Sequence, residues 1–196
     1  MLQSGGEMME ICKNLVSALR LCAWGMIFIL LDINLNIFDI LPDILGWVLL
    51  LSGISRIAKY RAEAAHLRIF ALLLLANSVI EFFENIFGGK FYPGFYAVFV
   101  LVCVISLYFY FAFFTCIAAI AREYSSEREK GILWCRNIYS AVFCFNTVVS
   151  VLEMNYTVLN FVGVLINIVM MVAICFFVFL LSEEISRGED KEKSVS

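Results

Sequence analysis

FYPGFYAVFVLVCVISLYFYFAFFTCIAAIA, residues 91–121, runs for 31 residues without an Asp, Glu, Lys or Arg, and beyond Pro93-Gly94 it meets neither Pro nor Gly until Gly131. About 20 mostly apolar residues suffice to cross the hydrocarbon core of a bilayer as a helix. Splitting the run into two crossings would need a turn, and no residue in it supplies one. The stretch therefore predicts one long, tilted transmembrane helix.

Further uncharged stretches lie on either side, at 21–31, 44–55, 69–80, 137–152 and 154–182. Extending each until charges or turn residues stop it gives six spans, 15–33, 40–58, 68–88, 95–121, 134–154 and 158–182. The second and third take in acidic residues near one end. The expected fold is all-α, a polytopic six-helix transmembrane bundle. Residues 1–14 would form a cytoplasmic N-terminal segment, 15–182 the membrane domain and 183–196 a polar, frayed cytoplasmic tail. Composition agrees: 63% of the residues are hydrophobic and 16% charged, where soluble domains run at about 45–50% and 25%. A net charge of −3 with no basic aromatic surface excludes a nucleic-acid binder, and the scarcity of polar residues excludes a disordered chain.

The basic residues orient the bundle, because cytoplasmic loops concentrate Lys and Arg. With both termini inside, thirteen of the fourteen, from Lys13 and Arg20 through Arg136 to Lys193, fall on or near the inner face, and only Lys90 lies outside. Losing one span would invert every later loop and destroy that division. The first apolar run ends in Leu30-Leu31-Asp32 rather than a small-x-small site, so it is expected to stay as an anchor. Leu2 is incompatible with N-myristoylation.

The acids are as strongly sided as the bases. Asp32, Asp39, Asp43, Glu81, Glu84 and Glu153 all fall in the outer half, so a wet recess there would be acidic and would favour cations. Asn77, Glu81, Glu84 and Asn85 recur at helical spacing in the third span. Glu81 would lie about 5 Å from the bilayer midplane at 1.5 Å per residue, where desolvation would favour its protonated form. Asn146, Ser150 and Glu153 repeat the theme in span five, as do Asn160, Gly163 and Asn167 in span six. The plainer reading is that these side chains bond one another across the bundle. In the second span, Pro42 suits a helix start, Asp39 could cap it and Asp43 would complement its dipole. Gly46 and Gly53 share one side of that helix and permit close packing.

Signals of chemistry are lacking. The seven cysteines include no C-x-x-C pair and read as small apolar fillers. His66 is single, and there is no G-x-S-x-G, H-E-x-x-H or phosphate loop. The sequence thus offers no catalytic residues, no metal ligands and no cofactor, and predicts a non-enzyme.

FDILPDILGWVLLLSGISRI, residues 38–57, resembles a segment of small uncharacterised multi-pass membrane proteins of Gram-positive bacteria, which carry a D-I-L-P-D-x-x-G-[WY] pattern, here Asp39 to Trp47. The resemblance implies a bacterial plasma membrane and brings no activity or site residue with it. Size and span number are also similar to those of small substrate-binding subunits of vitamin transporters, in architecture alone. The expected role is a small carrier or membrane binding subunit with an outward-facing acidic cavity for a cation, an amine or protons. The candidate residues are Glu81, Glu84, Asn77, Asn85, Asp32, Asp39, Asp43, Glu153, Asn146 and Asn167. The alternative is a non-catalytic partner or regulatory subunit of a larger membrane complex. The lipid bilayer is a partner in either case.

Overall fold

The computed structural model describes residues 3–31, 41–87, 96–152 and 157–195, with side chains described for 10–30, 43–84, 86–87, 97–152, 158 and 161–187. The protein is all-α: six helices, with no strand among the described residues. They are α1 (Gln3–Leu31), α2 (Leu41–Ile57), α3 (Leu67–Phe87), α4 (Tyr96–Tyr124), α5 (Ser126–Val151) and α6 (Thr157–Val195). Five stretches, Glu10–Leu30, Ala62–Glu84, Ala97–Tyr124, Ser126–Val151 and Phe161–Arg187, are long and apolar enough to cross a membrane. The molecule is a multi-pass helical membrane bundle. α2 has 17 residues, about 25 Å at 1.5 Å per residue, against a hydrocarbon core of about 30 Å.

The 91–121 run gives one unbroken helix, α4, as its lack of turn residues requires. Three helices extend further than the apolar runs suggest. α1 begins at Gln3, within the expected N-terminal segment, α5 begins at Ser126 rather than 134, and α6 continues through the polar tail to Val195. The tail is therefore helical where a frayed end is expected. Its charges suit a helix: Arg187 donates to Glu183 Oε1 at 2.6 Å across one turn, an i,i+4 pair that supports an exposed helix. The early start of α5 also has a local cause. Ser125 leaves the helical region (φ −158°, ψ 112°) and its hydroxyl accepts from the Arg128 amide, capping the new helix, while Glu127 and Glu129 complement its N-terminal dipole.

The helices form a ring in chain order, closed by α6 packing against α1, with α4 also reaching α6 across the middle. Between helices in lipid the hydrophobic effect supplies little, so close fit must do the work. α1 and α2 achieve it through small residues. An added Cβ on Gly46 would lie 2.8 Å from the Gly25 carbonyl oxygen, and one on Gly53 would meet Cys22 Sγ and the Ala18 carbonyl. Ala18, Cys22 and Gly25 thus oppose Gly46 and Gly53, as the shared side of the two glycines suggests. Around this hairpin the core is aromatic: Phe109, Tyr110, Phe113 and Phe114 of α4 meet Trp47 of α2 and Tyr139 of α5.

Arginines join the helices at the end of the bundle holding the α2–α3 and α4–α5 turns. Arg56 donates to Ser17 Oγ (2.8 Å), Arg68 to the Ser55 carbonyl (2.9 Å) and Arg128 to Glu184 (3.0 Å). Arg61 pairs with Glu123 and reaches the Ala119 carbonyl. The charges read from the sequence as topology signals also connect neighbouring helices here.

Candidate functional site

α2 positions the acid that turns inward. Asp43, in its first turn, lies one turn before Trp47 and so shares a face with it. Trp47 is buried with its ring 5.3 Å from Phe109 and 6.2 Å from Tyr110. Asp43 is accordingly half-buried, with one carboxylate oxygen withdrawn from the surface. The Tyr110 and Tyr139 rings stand 5.5 Å apart. Three helices therefore meet here: Asp43 stands one turn from Trp47 on α2, Trp47 packs on Tyr110 of α4, and Tyr110 faces Tyr139 of α5.

α3 carries Asn77, Glu81 and Glu84. Leu67, Ala71, Leu74 and Ser78 form its buried stripe, and Glu81 falls within about 50° of that direction at 100° per residue. Glu81 is nevertheless exposed, although Ser78, one turn earlier on this face, is buried. Asn77 Nδ2 donates to Glu81 Oε1 at 2.8 Å. Glu84 is half-buried on a neighbouring face. Asn85 belongs to α3, its side chain outside those described, and Asp32, Asp39 and Glu153 lie outside the described residues.

The polar faces of α5 and α6 do meet. An added Cβ on Gly163 would run into the Asn146 amide, so Asn146 packs against the α6 backbone where a side chain is missing. The amide oxygens of Asn146 and Asn167 are buried and accept no hydrogen bond from the described residues. A buried acceptor left so costs about 1–3 kcal/mol, and it offers a lone pair to a cation or an N–H donor. Asn146 lies about 10 Å beyond Tyr139 along α5 and Asn167 about 12 Å from Cys175 along α6, each toward the end opposite the arginines. Ser150 is exposed.

The clefts at the arginine end include one of about 410 Å³ walled by Tyr60, Arg61, Glu123 and Tyr124, and one of about 320 Å³ walled by Lys13, Ser17, Arg20, Trp24 and Ser186. Neither involves an acid of the candidate set. No three His, Cys, Asp or Glu side chains converge as a metal site among the described residues. Cys22, Cys116, Cys135 and Cys175 are buried and free.

Sequence reading overlooked Tyr110 and Tyr139, two phenols among many aromatics. The available signal was the i,i+4 pairing of Asp43 with Trp47, because a tryptophan flanked by two helix-contact glycines points its face into the bundle. No known protein family, curated protein or solved structure matches the chain.

Proposed function

We propose that the chain crosses a bacterial plasma membrane six times with both termini cytoplasmic, and serves as a small carrier or membrane binding subunit accepting a cation, an amine or a proton. The observation that carries this reading is the half-buried carboxylate of Asp43, one turn from the buried Trp47 that packs on the Tyr110–Tyr139 pair. An intramembrane acid facing a bundle interior is characteristic of ion and substrate paths. Asp43 supplies the charge and the tyrosine hydroxyls neutral ligands, while the Asn146 and Asn167 oxygens, about 10–12 Å further along α5 and α6, and the exposed Glu81 would line the approach. α2 serves as a crossing despite its 17 residues, because a short span is accommodated by local thinning of the bilayer. The basic residues gathered at its Arg56 end mark the cytoplasmic side.

The exposed Asn77–Glu81 pair favours a second reading, a non-catalytic partner in a larger membrane complex. At that depth a neighbouring protein would cover a polar pair that lipid solvates poorly.

Thermal unfolding of the full chain in detergent separates the two. Wild type, Asp43→Asn and Glu81→Gln are compared from acid to mildly alkaline pH, with a panel of metal cations and amines. A bound solute present at about 100 times its Kd should raise the wild-type midpoint by roughly 5–10 °C and leave Asp43→Asn unmoved. If wild type and Asp43→Asn differ only by a uniform offset in every condition, the acid is structural and the partner reading stands.

A further inference from the structure

Arg136 lies ten residues into α5, about 15 Å along the helix, and its charge meets no carboxylate among the described residues. Nε donates to Asn137 Oδ1 (3.1 Å), Nη2 to the same oxygen (2.7 Å) and Nη1 to Thr115 Oγ1 of α4 (2.8 Å). The guanidinium also lies 4.3 Å over the Phe111 ring. The other interhelical arginines at this end reach a carboxylate, a backbone carbonyl or a serine of a neighbouring helix close to the turns. Like Arg20, Arg56 and Arg68, Arg136 has neutral partners alone among the described residues, but it stands on the outward seam of α4 and α5, over the Phe111 ring that lines an apolar cleft. Neutral partners leave its full positive charge in a medium where charge is expensive.

The far side of Phe111 continues into a cleft of about 400 Å³ along the same seam, walled by Val104, Leu107, Tyr108, Ser140, Ala141 and Cys144. This wall is almost wholly apolar, and the Ser140 hydroxyl, one turn beyond Arg136, has no hydrogen-bond partner among the described residues. Cys144 lies about 12 Å beyond Arg136, away from the arginine end. A cation at the interfacial end and an apolar channel running toward the bilayer centre match a phospholipid in both charge and polarity order.

We infer that the α4–α5 seam is a binding site for a single anionic phospholipid, its phosphate on Arg136 and one acyl chain in the cleft. Arg136 and the apolar cleft together suit an anionic headgroup joined to an acyl chain, and a second copy of the chain, which could offer an exposed carboxylate such as Glu127 to Arg136, is the competing occupant that the test distinguishes. The site is separate from the Asp43 cluster and does not depend on the proposed carrier role.

Native mass spectrometry of the full chain tests it, with dioleoylphosphatidylglycerol and diolein, which shares the chains but lacks the phosphate. Wild type should retain one phosphatidylglycerol and little diolein. Arg136→Gln should weaken phosphatidylglycerol binding about tenfold or more, the loss expected for a charge-assisted contact, while Arg136→Lys keeps most of it. Ala141→Phe, which fills the cleft and leaves Arg136 in place, should displace the lipid independently of how Arg136→Gln folds. Equal retention by wild type and Ala141→Phe, equal binding of diolein and phosphatidylglycerol, or a dimer that excludes lipid would each overturn the inference.

Discussion

Gly46→Leu should unfold the α1–α2 hairpin, at a cost of at least about 3 kcal/mol, more than typical overpacking of 1–3 kcal/mol. A Cβ at this position lies 2.6 Å from Ile29 Cγ1, 2.8 Å from the Gly25 carbonyl and 3.0 Å from the Ile29 amide nitrogen. Two of those three atoms are backbone, so no rotamer change relieves the contact and the helices must separate. Separation would also turn the Trp47 face off Phe109 and Tyr110 and so carry Asp43 away from the tyrosines. The change is read as a fall in the detergent unfolding midpoint, together with loss of any cation or amine response that wild type shows. A Gly46→Leu protein that melts like wild type would mean that α1 and α2 do not approach through this face.

Phe109→Ala tests the aromatic core. Phe109 is wholly buried, stacked on Phe113 at 5.8 Å and edge-on to Trp47 at 5.3 Å. In water such a truncation costs about 3–5 kcal/mol, the sum of a transfer and a cavity contribution. In lipid the transfer contribution largely disappears, because a helix face leaving the bundle meets acyl chains of similar polarity. The cavity contribution remains, leaving about 2–3 kcal/mol in an unfolding titration. Leu101→Ala, on the outward face of α4 at 57% exposure, should change stability by less than about 0.5 kcal/mol. Equal effects at the two positions would contradict the inward orientation of the Phe109 face.

Most of the architecture could be read from the chain. The single helix α4 followed from the missing Pro and Gly, and a close helix contact on one side of α2 from the seven-residue spacing of Gly46 and Gly53, though not that the neighbour is α1. The helix ends were harder to place. Apolar runs report where lipid begins, whereas α5 begins where Ser125 caps it and α6 continues through the Glu183–Arg187 pair, both outside the apolar run. The candidate site was legible as a set of acids but not as an arrangement. Helical spacing aligned Asn77 with Glu81, and the two are hydrogen-bonded. It could not say that Glu81 is exposed while Ser78, one turn earlier, is buried, because that depends on how closely neighbouring helices approach each turn. Nor could composition distinguish Tyr110 and Tyr139 from other ring fillers, because the Trp47–Tyr110–Tyr139 series arises only when α2, α4 and α5 are brought together.

Reporter fusions measure the claim on which the rest depends, six crossings with Asp43 on the side opposite the arginines. Green fluorescent protein and alkaline phosphatase are fused in turn after Tyr60, after Lys90 and after Ser196. Fluorescence after Tyr60 and Ser196, with phosphatase activity only after Lys90, is the predicted pattern. The reverse pattern, phosphatase activity after Tyr60 and Ser196 with fluorescence after Lys90, would contradict the account, since it arises only if α2 does not cross or if the whole bundle is inverted.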